Sequence, residues 1–348
     1  MTLATDVRTP RLDLLAADRL QLIVMPTEQC NFRCSYCYED FSIGAMTDAV
    51  WAGLHSFLAR RLSGLRALHL SWFGGEPLLA ADRVVELSGF AQELARKRSV
   101  AFASDITTNA SLLEPALFEK LVTSGVTVYQ VTLDGPEAVH NTYRRSAGAR
   151  TTFDRIRANL AHMIETDLEF SLIIRVHVRE ELRREFPAMA ELLAGFDDPR
   201  VRFFFRGISD LGGPHSGQIT TMPAQDCDAL CDELRELAVR AAPRTQGFVP
   251  AEEAACYAAA ANSWVIRADG RVAKCTVALN DARNTVGRLT PDGGLNIDPD
   301  RVRPWIRGIF SHDEVELGCP LVGLPEDRRT VTALPLPTIR TAIPGSER

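Results

Sequence analysis

The feature that most constrains the fold is an alternation. Between residues 20 and 205, six short apolar runs (20–25, 67–73, 101–107, 127–133, 169–178 and 201–205) are separated by stretches of helical period. The helical patterns fall at 48–61, 81–96, 114–124, 152–165 and 180–193. Strand followed by amphipathic helix, repeated, implies parallel pairing with right-handed crossovers and helices covering the sheet. Six such units predict an α/β fold. An open or partial barrel and a doubly wound sheet both fit, and periodicity alone does not separate them. Thr47 and Asp48 are expected to cap the first helix, and Ser111 with Glu114 suggests a capping box at the third.

After residue 205 the pattern changes. Residues 207–222 are rich in Gly, Pro, Ser and Thr and read as a loop, and 224–241 reads as a helix. An apolar run at 264–266, a turn at Ala268-Asp269-Gly270 and a second run at 272–275 form a hairpin signature. Short strands are expected again within 286–297, and the proline-bearing stretch 325–348 reads as extended or disordered. The expected division is an N-terminal segment (1–19), the strand–helix unit (20–222), a helix with a small β-rich domain (223–324) and a tail (325–348).

Apolar residues make up 46% of the 348 and charged residues 24%, which places the chain among globular proteins. No window approaches a membrane-spanning length of apolar residues, and Met1 to Arg8 lacks the basic-then-apolar pattern of an export signal. The net charge of −6 argues against a broad basic field for nucleic acid. Without an export signal, the eight cysteines read as metal ligands or catalytic groups, not as a disulfide framework.

Three of them crowd into Cys30-Asn31-Phe32-Arg33-Cys34-Ser35-Tyr36-Cys37, immediately after the first predicted strand. In a barrel-like sheet that is the end where loops build sites. Three thiolates on one loop suit an iron–sulfur cube, leaving a fourth iron open to chelate an amino-acid-like cofactor. A zinc site with a distant fourth ligand is the alternative.

Further motifs follow in order. Gly74-Gly75-Glu76-Pro77 follows the second strand, Thr107-Thr108-Asn109-Ala110 ends the third, and Thr132-Leu133-Asp134-Gly135-Pro136 ends the fourth, with His140 and Arg144 beyond it. Singly, the glycines read as a tight turn and Asp134-Gly135 as another. Together they resemble the radical S-adenosylmethionine (SAM) superfamily, in its SPASM/twitch-type, peptide-maturase-like subgroup, from about residue 20 to 178. The resemblance implies a partial (β/α)6 TIM-like barrel. It implies a 4Fe–4S cluster on Cys30, Cys34 and Cys37, with SAM on the fourth iron, reductively cleaved to a 5′-deoxyadenosyl radical that abstracts a substrate hydrogen. It implies SAM contacts from Tyr36, Gly74, Gly75, Glu76, Pro77, Thr108, Asn109, Thr132, Asp134, Arg144 and Arg175. Tyr36 is expected near the adenine, and the Gly74-Gly75 backbone near the methionyl end. Arg175 reads equally well as a strand residue in a salt bridge.

The C-terminal cysteines extend the resemblance. Cys256, followed by Gly270-Arg271-Val272-Ala273-Lys274-Cys275, is similar to the start of a SPASM or twitch domain, whose extensions carry auxiliary clusters. The family's C-x2-C pair is absent here, and only Cys319 remains, in Glu316-Leu317-Gly318-Cys319. One auxiliary 4Fe–4S cluster on Cys256, Cys275 and Cys319 is implied. Its fourth ligand is Glu316, an open iron, or Cys227 or Cys231 folded back from the 224–241 helix. That pair also reads as ordinary buried cysteines, four apart on one helical face.

The resemblance favours modification of a ribosomally made precursor peptide, forming a side-chain cross-link or similar bond. A two-electron dehydrogenase of a small natural-product alcohol, or of a protein Ser or Cys, is the alternative. A non-catalytic cluster-bearing binding or electron-transfer protein is a third. Sulfatase maturases resemble the chain less, because they carry an acidic residue where Thr276 follows the hairpin cysteine. The segment before Cys30 is short for a winged peptide-recognition domain. Candidate bases are His177, Glu180, Asp210, His215 and Asp281. An electron donor such as flavodoxin or ferredoxin and a cytoplasmic location follow from the expected clusters.

Overall fold

The structure is a computed structural model that describes residues 11–148, 150–249 and 255–325. Six strands arise where the apolar runs predict them: β1 (Arg19–Val24), β2 (Ala67–Trp72), β3 (Ala101–Thr108), β4 (Val128–Thr132), β5 (Ser171–Val178) and β6 (Val201–Gly207). They pair in parallel and in sequence order, each with its successor. Helices α1 (Asp48–Arg61), α2 (Ala81–Lys97), α3 (Pro115–Thr123), α4 (Glu137–Tyr143), α5 (Phe153–Glu165) and α6 (Phe186–Ala194) fill the crossovers. This is the partial barrel.

Alternation along each strand separates two faces. On β5, Leu172, Ile174, Val176 and Val178 are buried in the core shared with the helices, while Ser171, Ile173, Arg175 and His177 face inward and are only partly buried. On β6, Phe203 and Phe205 join the same core, whereas Arg202, Phe204 and Arg206 pair in register with Ile173, Arg175 and His177 on the inner face. The inner face is therefore polar at β5 and β6. At β1 it is apolar: Ile23 and Met25 form a separate small cluster with Val265, Ala273 and Leu279, lined by Tyr38, Phe73 and Tyr257.

The C-terminal strands do not form a sheet of their own. After α7 (Ala224–Ala241) the chain returns to lay β7 (Ser263–Ile266) in parallel beside β1. Strands β8 (Arg271–Ala273), β9 (Thr285–Leu289) and β10 (Leu295–Ile297) add antiparallel, so the order is β10-β9-β8-β7-β1-β2-β3-β4-β5-β6. Short helices α8 (Pro299–Val302), α9 (Gly308–Ser311) and α10 (Glu314–Gly318) close the described chain.

Three local expectations are corrected. Ser111 makes no capping box: its hydroxyl accepts from Asn31 Nδ2 at 2.9 Å, and α3 begins at Pro115 with Glu114 at the cap and no side-chain cap bond. Thr47 sits at the cap of α1 but its side chain makes no cap bond either. The helix expected at 180–193 is divided into a 3-10 turn (Glu180–Glu185) and α6, with Pro187 in the first turn of α6, where its missing N–H costs nothing. Beyond residue 325 the expected tail lies outside the described residues, as does the start of the N-terminal segment.

Candidate active site

The cysteine loop leaves β1 at the C-terminal end of the barrel strands. It rests on backbone that only glycine allows. A Cβ on Gly74 would lie 2.4 Å from Thr27 O, and one on Gly75 2.4 Å from Gln29 O. The close approach expected of these glycines is thus first made to the chain leading into Cys30. Gly75 N and Glu76 N donate to Thr27 O and Gln29 O. Glu76 is fully buried and accepts from Leu78 N, Thr108 Oγ1 and Asn109 N. It joins the β2 end to the β3 end. Pro77 opens the short 3-10 helix (Pro77–Ala80). Asn109 in turn donates to Asn31 Oδ1 at 2.8 Å inside the cysteine loop.

The three thiols act on one another through space. Burial pushes Cys30 and Cys37 up to about 12, and each is raised further by the charge of Cys34. Burial raises Cys34 too, opposed by Arg144. Each sulfur has something to support a negative charge. Phe32 N donates to Cys30 Sγ at 3.3 Å, the Glu39 amide donates to Cys37, and Arg144 stands beside Cys34. That donor set fits thiolates ligating a metal cluster, which need such compensation when buried. Among the described residues, no three His, Cys, Asp or Glu side chains converge on a single metal ion.

Beside the loop is a charged knot. Tyr36 donates to Asp134, and Arg144 Nη1 donates to Tyr36 Oη at 2.8 Å. His177 contacts the other Asp134 oxygen through both its amide (3.0 Å) and its Nδ1 (2.9 Å). Burial would raise Asp134, but His177, Arg144 and Tyr36 outweigh it and hold the carboxyl well below the usual range. The Tyr36 ring is flanked by His177, 4.6 Å away, and by the guanidinium of Arg179, 5.2 Å away. The Nε atoms of Arg144, Arg175 and Arg179 are buried without a hydrogen-bond partner. Unsatisfied cationic donors around Tyr36 fit an anionic cofactor.

Arg175 lies on the inner face, in register with Thr132 on β4 and Phe204 on β6. Its expected salt bridge does not form among the described residues. Of the candidate bases, His177 is in the knot. Glu180 pairs with Arg183, Asp210 accepts from Gly212 N and Gly217 N, and Asp281 is held by Arg283. His215 lies in the loop between β6 and α7, whose Gly213 packs on the Tyr38 carbonyl.

A second set of cysteines lies around the β7–β8 hairpin and α10. Cys275 follows β8, and Val277 N donates to its sulfur at 3.4 Å. Burial raises Cys275, and the charge of Cys319 raises it further. Cys256 N donates to Leu317 O at 2.8 Å, which brings Cys256 to the helix that ends before Cys319. Glu316, expected as a fourth ligand, has both oxygens engaged: Arg307 Nε donates to one at 2.8 Å and Ser311 Oγ to the other at 2.6 Å. Cys227 and Cys231 share one face of α7, where the Cys227 thiol packs against Gly207 at the end of β6. A link between the two cysteine sets, missed in the sequence, is Tyr38. Burial raises its phenol well above the usual range, and Glu39, Tyr257, Cys37 and Cys275 all raise it further. It therefore stands within electrostatic reach of both sets. The only signal was its place next to Cys37.

Residues 24–193 match the family described as the radical SAM superfamily. The chain carries a radical SAM domain. That family uses a 4Fe–4S cluster and SAM, and its members are enzymes. The serine-type anaerobic sulfatase-maturating enzyme of Klebsiella aerogenes is 22% identical over 274 residues, covering 75% of this chain and 67% of that relative. Its Klebsiella pneumoniae counterpart aligns over 42% of this chain and 38% of its own length, at 25% identity. The AdoMet-dependent heme synthase of Methanosarcina barkeri is 32% identical over 176 residues, covering 48% of this chain and 46% of that relative. The chain thus spans less than half of these last two relatives.

Two solved structures share the radical SAM fold at low identity. Native anSMEcpe with bound AdoMet and the Kp18Cys peptide superposes with a TM-score of 0.63, at 18% identity over 82% of this chain and 80% of that one. Streptococcus suis SuiB bound to its precursor peptide SuiA gives 0.58, at 15% identity over 90% and 72%. Sulfatase-maturating enzymes, expected from Thr276 to resemble the chain less, are therefore among the relatives in both sequence and fold. Thr276 itself is tied to Tyr257, whose hydroxyl lies 2.7 Å from its Oγ1. No helix among the described residues is long and apolar enough to cross a membrane.

Proposed function

We propose that this chain is a radical SAM enzyme that abstracts a hydrogen from a residue of a ribosomally made peptide and leaves a cross-link or similar side-chain modification. The observation that carries the reading is the approach of the two cysteine sets: Tyr38, next to Cys37, and Tyr257, bonded to Thr276 beside Cys275, line the same small apolar cluster. When bound, a 4Fe–4S cluster and SAM supply a 5′-deoxyadenosyl radical. Cys30, Cys34 and Cys37 would hold the cluster. Glu76 fixes the Gly74-Gly75 turn and Asn109 against the cysteine loop, so the loop geometry is set before SAM arrives. Arg144 and Arg179 offer unsatisfied donors to the carboxylate of SAM. Asp134 positions Tyr36 and His177, and His177 is the side chain best placed to take up a proton lost from the substrate.

Cys256, Cys275 and Cys319 would hold one auxiliary 4Fe–4S cluster in a twitch-type extension, with a flavodoxin or ferredoxin as electron donor. Dehydrogenation of a small alcohol is the second reading, because an auxiliary cluster would accept the second electron of such an oxidation. Anaerobic incubation with dithionite and SAM tests the proposal. Wild type is expected to release 5′-deoxyadenosine and the Cys34→Ala protein none. Absence of release from wild type, with a precursor peptide present, contradicts it. Turnover of free alcohols without any peptide favours the second reading.

A further inference from the structure

The exposed side of the cysteine loop carries a basic patch in an acidic chain. The segment after α4 runs along the loop: Arg33 N donates to Arg145 O at 2.8 Å, Phe32 pairs with Ser146 in an antiparallel bridge, and Ala147 N donates to Asn31 O at 2.7 Å. The chain then turns, and Ser146 Oγ accepts from Arg150 N at 2.9 Å. Residues 141–157 hold five arginines and one acid, Asp154, whereas the whole chain carries −6. Arg144 is buried against Tyr36, but Arg33, Arg145, Arg150 and Arg155 are exposed. None of these four has an ion pair among the described residues. Arg33 Nη1 donates to the Cys30 and Phe32 carbonyls, and Arg145 Nε to Asn141 O. Between the loop, the turn and α5 lies a depression of about 310 Å³, lined by Asn31, Phe32, Ser111, Ser146, Arg150 and Arg155 among others. Like charges held in one patch repel one another, a cost that an acidic partner removes.

We propose that Arg33, Arg145, Arg150 and Arg155 dock an acidic one-electron carrier protein that reduces the cluster on Cys30, Cys34 and Cys37. This rests on the radical SAM reading above. Reductive cleavage of SAM needs one electron from outside the chain. In the docked complex the carrier is oxidised by one electron and the cluster reduced by one, with no bond or proton exchanged. The depression sets a partner against Asn31 and Phe32, the two residues that follow Cys30, and Phe32 N donates to Cys30 Sγ at 3.3 Å. The patch is distinct from the SAM subsite, because Arg144 and Asp134 are buried on the inner side of the loop while the four arginines face solvent. Electron-transfer complexes bury little surface, and complementary charge speeds their association without making them tight. Guanidinium groups suit such a surface, since each offers a planar fork to a carboxylate.

The test compares two acidic donors, a flavodoxin and a ferredoxin, with dithionite, a small reductant that needs no docking surface. Binding of the fluorescein-labelled carriers to the anaerobically reconstituted protein is read by fluorescence anisotropy, and cluster reduction by stopped-flow absorbance. Wild type is expected to bind at least one carrier, less tightly as salt rises. Replacing Arg150 and Arg155 together (Arg150→Glu with Arg155→Glu) is expected to weaken that binding, and to slow reduction by the carrier, by about tenfold or more. Reduction by dithionite and the SAM dissociation constant should stay unchanged. Arg145→Glu, at another exposed side chain, carries the test if the double variant is unstable. Wild type that binds neither carrier overturns the proposal, as does carrier binding indifferent to these substitutions. Equal slowing with dithionite also overturns it, since the arginines would then serve the cluster site itself. Tighter binding of a single-stranded oligonucleotide than of either carrier overturns it in favour of a nucleic-acid partner. Release of 5′-deoxyadenosine by wild type with dithionite reports separately on the radical SAM reading.

Discussion

His140 shows how a single residue is held in one state. Its Nδ1 accepts from Asp134 N at 3.3 Å, and its Nε2 lies 3.1 Å from Thr152 Oγ1, which itself donates to Arg144 O. Burial, helped by Arg144, lowers its pKa from 6.5 to about 3. The folded chain therefore binds fewer protons than the unfolded chain between these values. Stability is fully present above about pH 6.5 and is lost as pH falls towards 3, at up to about 1.4 kcal/mol per pH unit. Denaturant titrations across that range should show the slope, and His140→Asn should flatten it; an unchanged slope contradicts the assignment. The sequence marked His140 as part of a motif. What it does there was not legible, because its partners come from the β4 end and from a threonine twelve residues on. Arg175 is the converse. Its candidacy was readable from strand position, but its neighbours Tyr36, Tyr38 and Asp134 come from other elements and left no local signal.

Elements are fastened at the site by a buried ion pair. Arg267, in the turn between β7 and β8, donates through Nε to Glu28 at 3.0 Å, while its Nη1 donates to Leu279 O at 2.6 Å. Both side chains of the pair are nearly inaccessible. The pair clamps the chain entering the cysteine loop to the C-terminal hairpin. Arg267→Ala is expected to destabilise the protein by about 3–5 kcal/mol, because Glu28 is left buried and uncompensated. Chemical denaturation measures this, and a loss below about 1 kcal/mol, typical of an exposed pair, would contradict it. At this scale the alternation of strand and helix was legible nearly to the residue, since each element is set by local periodicity. Helix α4 was not, because seven residues are too few to display a helical period. The capping box failed because Ser111 found a tertiary partner in Asn31.

At the scale of the whole molecule, the strands among the described residues form one continuous sheet, with the C-terminal strands laid beside β1. Hairpin chemistry made β7 and β8 readable, but their pairing with β1 joins residues more than 200 positions apart, and nothing local records it. That pairing is what brings Tyr257, bonded to Thr276 beside Cys275, to the apolar cluster that Tyr38, next to Cys37, also lines. The central claim is that the chain carries two separate iron–sulfur sites. Iron content after anaerobic reconstitution tests it most directly, measured beside 5′-deoxyadenosine release for wild type and Cys275→Ala. The account predicts about eight irons per chain in wild type and about four in the variant, which should still cleave SAM. Equal iron in the two proteins, or about four in both, would contradict it.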